Sequence, residues 1–313
     1  MRIFVAGATG VVGVRLVPEL VRRGHEVVGT TRTPAKAARL RALGAEPVVM
    51  DALDEAAVKE AVTAAAPDVV VHQMTAIPPA PNPKRLDRDF ELTNQLRTRG
   101  TDHLLAAARA AGVRRFVAQS FAAWAYARTG GAVKTEDDPV ETSPPPSVRE
   151  TLAGILHVER AVAQATDLEG IALRYGGFYG PGTGLGEGGG FLDLIRKRRF
   201  PIVGDGAAVW SFLHVDDAAT ATAVAVERGA PGIYNVADGE PARVAEWLPA
   251  LAAALGAPPP RRVPAWLVRP LIGEAGVAMM TDLRGASNAK AKVELGWAPR
   301  FASWREGFRT GLE

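Results

Sequence analysis

Short apolar runs rich in β-branched residues alternate with longer amphipathic segments through the first half of the chain. Ile3–Ala6, His25–Thr31, Glu46–Met50, Val69–His72 and Phe116–Gln119 read as strands, and the Ala-rich stretches between them carry helical spacing, beginning with Val14–Arg23. Apolar runs that lie between helices predict a parallel sheet covered on both faces. A further strand, Ile171–Arg174, leads into the glycine-rich loop Tyr175–Gly190 with its Gly180-Pro181-Gly182 break, and there the alternation stops. Segments 177–207 and 241–313 read as irregular, rich in Pro and Trp, and predict a smaller lobe over the carboxyl ends of the strands. Between them, Phe212–Val215 and Ile233–Val236 are expected to rejoin the sheet or its edge. The expected fold is therefore α/β, a Rossmann-type doubly wound parallel sheet. Residues 1–176, with 208–240 returning to them, would form the dinucleotide domain, and 177–207 with 241–313 the substrate-binding lobe.

The turn after the first strand carries the first chemistry. Gly7-Ala8-Thr9-Gly10-Val11-Val12-Gly13 places three glycines at intervals of three between a strand and a helix. Glycine lets the turn tighten and the backbone approach a pyrophosphate, while free N–H groups at the helix start, across Thr9 to Gly13, favour the anion. After the second strand an acid would hold the adenosine ribose of NAD, and a cation would hold the 2′-phosphate of NADP. The strand ends Gly29-Thr30-Thr31-Arg32, with Lys36 following and no acid. Arg32 and Lys36 suit NADP; read as ordinary exposed charges, they leave NAD held through main chain. Asp51, closing the third strand, is placed to accept from the adenine amino group or to cap the helix beginning near Asp54.

Composition narrows the classes. The 313 residues carry a net charge of only +3. The densest basic run, Arg196 to Arg199, reads as a solvated helix end or a phosphate contact, so no nucleic-acid partner is expected. With no cysteine, disulfides and thiolate metal sites are excluded. The first residues already form a strand, which leaves no room for a signal peptide, and no apolar stretch reaches membrane-spanning length. A cytoplasmic protein without membrane partners is expected.

With the glycine motif, Asp51, Asn94 ahead of Gly100-Thr101, and Arg115-Phe116-Val117-Ala118-Gln119-Ser120 in view, the chain resembles the extended short-chain dehydrogenase/reductases, the NAD-dependent epimerase/dehydratase family. The likeness runs on through Leu173-Arg174-Tyr175-Gly176-Gly177-Phe178-Tyr179-Gly180-Pro181-Gly182, His214-Val215-Asp216-Asp217, Tyr234-Asn235-Val236-Ala237-Asp238-Gly239 and Leu295-Gly296-Trp297-Ala298-Pro299. The resemblance implies bound NAD or NADP, a small-molecule substrate, and a dimer built on two long helices. It implies cofactor contacts at Ala52, Met74, Thr75, Asn94, Ser120, Ile155, Tyr175, Gly176, Gly177 and Phe178 as well as at the glycine motif.

Catalysis in that family depends on a Tyr-x-x-x-Lys pair with a nearby hydroxyl, in which lysine lowers the tyrosine pKa and holds the nicotinamide ribose. The sequence lacks the pair: four residues after Tyr126, Tyr175, Tyr179 and Tyr234 stand Gly130, Tyr179, Thr183 and Asp238. Matching the helix by Glu159 puts Thr151 at the tyrosine position and Ile155 at the lysine position, and sets Ser120 one place before the usual hydroxyl, which becomes Phe121. An acid displaced from that helix is then expected, with Tyr126 first and Ser120 second, and Thr151 as the only hydroxyl at the family's position. The sequence thus predicts an atypical NAD(P)-dependent oxidoreductase or epimerase on a small carbonyl or sugar-like substrate. The alternative is a dinucleotide-binding redox sensor without turnover. Asp216 and Asp217, before a helix over Ala218–Val226, read as an N-cap. Trp247, Trp266, Trp297 and Trp304 read as lobe core, Trp124 and Trp210 as pocket candidates, and Phe178 and Tyr179 as core or pocket wall.

Overall fold

Strands without polar alternation can be buried only if helices cover both of their faces, and the computed structural model, which describes residues 1–313, is built that way. Its principal strands, leaving aside six two-residue strands, are β1 (Arg2–Ala6), β2 (Glu26–Thr31), β3 (Glu46–Val49), β4 (Val69–His72), β5 (Arg115–Phe121), β6 (Glu169–Tyr175), β7 (Gly177–Tyr179), β8 (Phe212–His214) and β9 (Gly232–Val236). Seven of them form one sheet in the order β9-β6-β5-β4-β1-β2-β3. Every pairing within it is parallel. The principal flanking helices are α1 (Gly13–Arg22), α2 (Glu55–Ala65), α3 (Thr101–Ala110), α4 (Arg149–Ala163) and α5 (Val215–Glu227). The order reverses between β1 and β4, and the crevice beyond their carboxyl ends is where such a sheet admits a ligand.

Period-two geometry divides the core. Ile3 and Val5 pack with Leu16, Leu20 and Ala221 of α1 and α5, whereas Phe4 and Ala6 pack with Val58, Leu104 and Val158 of α2, α3 and α4. A third core lies under the segments that follow β6, with Trp247, Trp304, Phe212 and Tyr179 at its centre.

Four expectations are corrected. The C-terminal segments are largely helical rather than irregular, with helices at Gly190–Arg196, Val244–Ala254, Ala265–Thr281 and Trp304–Thr310. Pro249 and Pro270 lie inside two of these helices, so composition disguised them. β9 does join the sheet edge, but β8 pairs only with β7. α5 begins at Val215, its N-cap is His214, and the two acids have other tasks: Asp216 pairs with Arg15 at 2.7 Å, and Asp217 accepts from the backbone of Arg300 and Phe301. Of the tryptophans, Trp297 joins the core beside α5, and Trp266 is 74% exposed.

Candidate active site

The glycine loop follows β1 at the switch point. Gly7 takes φ +95°, and a Cβ there would stand 2.7 Å from the Gln73 carbonyl carbon and oxygen, so the segments leaving β1 and β4 touch through their backbones. A Cβ at Gly13 would stand 2.3 Å from the Gly7 oxygen, so the helix start packs against the turn only as glycine. α1 begins at Gly13 with no side-chain cap and no acid in its first turn. Its leading N–H groups and positive dipole end are therefore left for an anion, which is the fit a dinucleotide pyrophosphate requires. Thr9, Gly10, Val11 and Val12 form this turn. Arg15 braces it, reaching the Val11 and Pro181 carbonyls at 2.8 Å each.

At the β2 end, Thr30 accepts from Gly7 N–H at 3.2 Å, and Thr31 is buried against its own turn. Arg32 and Lys36 are exposed, Lys36 in a short 3₁₀ turn, Pro34–Lys36. The helix-cap alternative for Asp51 is settled against it: Asp54 caps α2 by accepting from Ala57 N–H, and Asp51 turns onto Leu53 N–H at 3.0 Å while staying exposed. Ala52 and Met74 are buried beside Gly100, and Thr75 is exposed.

The other end is built on α4. Asp87 accepts from the N–H groups of Glu150 and Thr151 at 3.1 and 2.8 Å and so caps the helix from a neighbouring segment. Thr151 and Ile155 are both buried on its inner face; Ile155 contributes only hydrocarbon where a lysine was sought. Further along, Glu159 accepts from Ser120 Oγ at 2.6 Å and from Arg174 in a two-pronged pair, 2.7 Å on each prong. Arg174 in turn lies 4.8 Å over the Tyr126 ring, and Tyr126 donates to Asn235 Oδ1 at 2.6 Å.

That network engages both hydroxyls expected to serve as the displaced acid. The Ser120 and Tyr126 hydroxyls are both buried with their protons committed, and burial, only partly offset by Arg174, raises the Tyr126 pKa further. They tie β5, α4, β6 and β9 together. Tyr175 is engaged likewise: its ring is buried and its hydroxyl bonds Gln73 Nε2 at 2.8 Å and Thr222 Oγ1 at 2.6 Å. Only its backbone is left for the cleft. Gly176 lies 2.8 Å, measured from an added Cβ, from the Ser211 oxygen, which is why it is glycine. Gly177 and the half-buried Phe178 follow, whereas Tyr179 is core, as is Trp124. Phe121 and Trp210 are half-buried.

Among the buried polar atoms without a partner are both amide atoms of Asn94 and the Thr151 hydroxyl. One functional candidate was missed. Arg97, 6% exposed, has no acceptor for Nη1, and burial pulls its pKa down to about 10, so it stays protonated at neutral pH. The sequence signal was an arginine three residues after Asn94 on the apolar face of a helical run, opposite a glycine inside α4.

The profile of the NAD dependent epimerase/dehydratase family matches residues 3–237. The chain is 47% identical over 313 residues to the 3-diazoavenalumate denitrifying reductase of a Streptomyces species, covering 98% of this chain and 99% of that one. Among solved structures, the UDP-glucose 4-epimerase of Thermus thermophilus, in complex with NAD, superposes with a TM-score of 0.74 at 26% identity, over 100% and 98% of the two chains. A human epimerase family protein with NADPH superposes with a TM-score of 0.74 at 22% identity, over 99% and 98%, which supports the fold.

Proposed function

Since the chain belongs to the NAD-dependent epimerase/dehydratase family, we propose that it is an NADPH-dependent reductase for a small acceptor that carries its own activation, an arenediazonium group above all. The observation that carries the reading is the lack of a poised acid beside the α4 end of the cleft. Phe121 and Ile155 are apolar, Ser120 and Tyr126 have committed their protons, and Thr151 has no base beside it. A ketone needs a proton delivered to its oxygen as hydride arrives, and such general acid catalysis is worth roughly 10²- to 10⁴-fold. A diazonium cation does not need it.

When bound, a reduced nicotinamide dinucleotide supplies hydride, which is two electrons and a proton. Hydride added to the terminal nitrogen of the cation gives a neutral aryldiazene; dinitrogen then leaves as the N–H proton moves to the ring carbon. Atoms and electrons balance without a proton from the protein. What the chain must do is hold the two reactants in contact and keep the site dry. The reductase relative named above, whose substrate is a diazo compound by name, supports the same class. Exposed Arg32 and Lys36 at the end of β2, with no acid near them in sequence, support NADP over NAD. The reading extends to a homodimer through the outward faces of α3 and α4, where Asp102 meets His157 at 2.7 Å, and to a cytoplasmic location; gel filtration with light scattering tests the former.

The experiment supplies deuterated NADPH with arenediazonium salts, aldehydes, ketones and UDP-glucose, and follows dinitrogen release and deuterium in the arene. Deuterated arene with one dinitrogen per NADPH is expected. Faster turnover of ketones, or epimerisation of the nucleotide sugar, would overturn the reading. Tight dinucleotide binding without any turnover would replace it with the sensor.

A further inference from the structure

The segment Gly180–Gly190 reaches from one lip of the cleft to the other. On the β1 side, a Cβ placed on Gly182 would stand 3.4 Å from Val11 Cγ2, in ordinary contact with the glycine turn. On the β4 side, a Cβ placed on Gly190 would stand 3.6 Å from the Pro79 carbonyl oxygen and 3.8 Å from Ala80 Cβ, in the segment that leaves β4. Between these points the chain crosses the crevice at the switch point as a strap. The strap is bonded to itself: Thr183 donates to the Gly180 carbonyl through N–H and hydroxyl, Gly186 N–H to Thr183, and Gly189 N–H to Gly186. Gly180 (φ +103°) and Gly188 (φ +73°) turn it near its two ends.

Its fastening is unequal. Leu185 is buried in the third core, and Glu187 N–H donates to the Leu312 carbonyl at 2.8 Å. By contrast, one hydrogen bond joins residues 181–190 to residues 1–176: Arg15 Nη2 donates to the Pro181 carbonyl at 2.8 Å. Seven of the eleven strap residues are glycine, so few side chains reinforce that bond. Of the others, Thr183 turns back onto Gly180, Leu185 faces the core, and Glu187 pairs with Arg196. A segment held by so few contacts opens at low free-energy cost.

Arg15 itself is fixed on both sides, by Nη1 on the Val11 carbonyl at 2.8 Å and by Nε on Asp216 at 2.7 Å. All three of its nitrogens meet protein acceptors, which separates it from a phosphate ligand. We propose that Arg15 is the latch of this strap, and that the strap must lift from the glycine turn for a dinucleotide to enter or leave. Arg15 is then a positioning residue that sets the rate of cofactor exchange. The inference rests on the dinucleotide part of the proposed function and not on the acceptor.

The chain has no cysteine, so an engineered crosslink has no competitor. The 3.8 Å between the Gly190 and Ala80 Cβ positions matches the usual Cβ spacing of a disulfide. Association of NADPH, and its release into excess NADP⁺, are followed by stopped-flow fluorescence in the parent, Arg15→Met, Arg15→Lys and the oxidised pair Ala80→Cys with Gly190→Cys.

Arg15→Met is expected to raise both rates by about 10-fold, the ratio one charge-assisted hydrogen bond yields, with Kd within about threefold. Arg15→Lys keeps part of the latch. The oxidised pair slows both rates by about 10-fold or more, suppresses the acceleration when combined with Arg15→Met, and recovers on reduction. Exchange at the parent rate in the oxidised pair would overturn the proposal. So would a Kd in Arg15→Met that rises in step with release while association is unchanged, the signature of a damaged turn. A parent that binds no dinucleotide would overturn the cofactor reading and the strap with it, whereas failure of the diazonium reading would leave these rates as they are.

Discussion

The β1 end of the cleft is shaped by backbone, whereas at the α4 end the unpartnered polar atoms belong to side chains on three separate segments. Gly7, Gly10 and Gly13 shape their turn by having no Cβ, and what faces the ligand is N–H groups and a helix dipole. Around Gly154, the polar atoms belong to Asn94 on the short helix Glu91–Gln95, Arg97 on the π-helical turn Leu96–Gly100 and Thr151 on α4. A backbone site depends on a few positions where any side chain would collide. A side-chain site can be re-equipped without moving the sheet. The fold accordingly matches that of the solved Thermus thermophilus epimerase, while positions 121, 151 and 155 carry Phe, Thr and Ile.

The comparison breaks first, and hardest, at Gly7. Gly7→Val meets the Gln73 carbonyl and a positive φ together, and is expected to cost at least about 2 kcal/mol of stability. Dinucleotide affinity should fall by about 100-fold or more; a normal Kd and melting curve would mean that the loop tolerates a side chain after all. Next comes Arg32→Ala, expected to cost NADPH about 1.5–3 kcal/mol while NADH is unaffected. Calorimetric titration decides it, and equal effects on both cofactors would return the site to NAD.

Tyr126→Phe sharpens the boundary between site and scaffold. Losing the bond to Asn235 should lower stability by about 1 kcal/mol in denaturant titration with turnover within about twofold of the parent. A loss of about 100-fold in kcat would restore Tyr126 as the displaced acid. The last test reads a pH slope rather than a loss of binding or turnover, at Asp238, two residues beyond β9. Burial pushes its carboxyl up to about 7, against about 3.9 in an unfolded chain. The folded state therefore holds the proton more tightly, so this contribution to stability is full at low pH and is lost as pH rises from about 4 to about 7. Melting temperatures of Asp238→Asn should fall less across that window than those of the parent. Parallel slopes would locate the titration elsewhere.

Legibility followed the range of the interactions. The glycine spacing and the strands β1 to β6 could be read locally, because each is set by residues next to one another in the chain. The partners of the hydroxyls were hidden for the opposite reason. Tyr126 follows β5 closely and looked free to enter the pocket, but its partner is Asn235, 109 residues on. Ser120 was claimed by Glu159, 39 residues on. Tyr175, in a motif that pointed to the cofactor, turned its ring to Gln73 and Thr222.

By itself, then, the sequence determined a parallel sheet with a tight glycine turn after its first strand, the cations at the end of β2, and the absence of a Tyr-x-x-x-Lys pair. All of these are matters of residue type at short spacing, where periodicity and the lack of a Cβ act directly. The tertiary structure alone decided which buried hydroxyls were committed and which were left over, and that Arg97 on a π-helical turn meets Gly154 of a later helix. Burial and pairing are properties of neighbours in space, and a chain does not disclose those neighbours until the helices have packed.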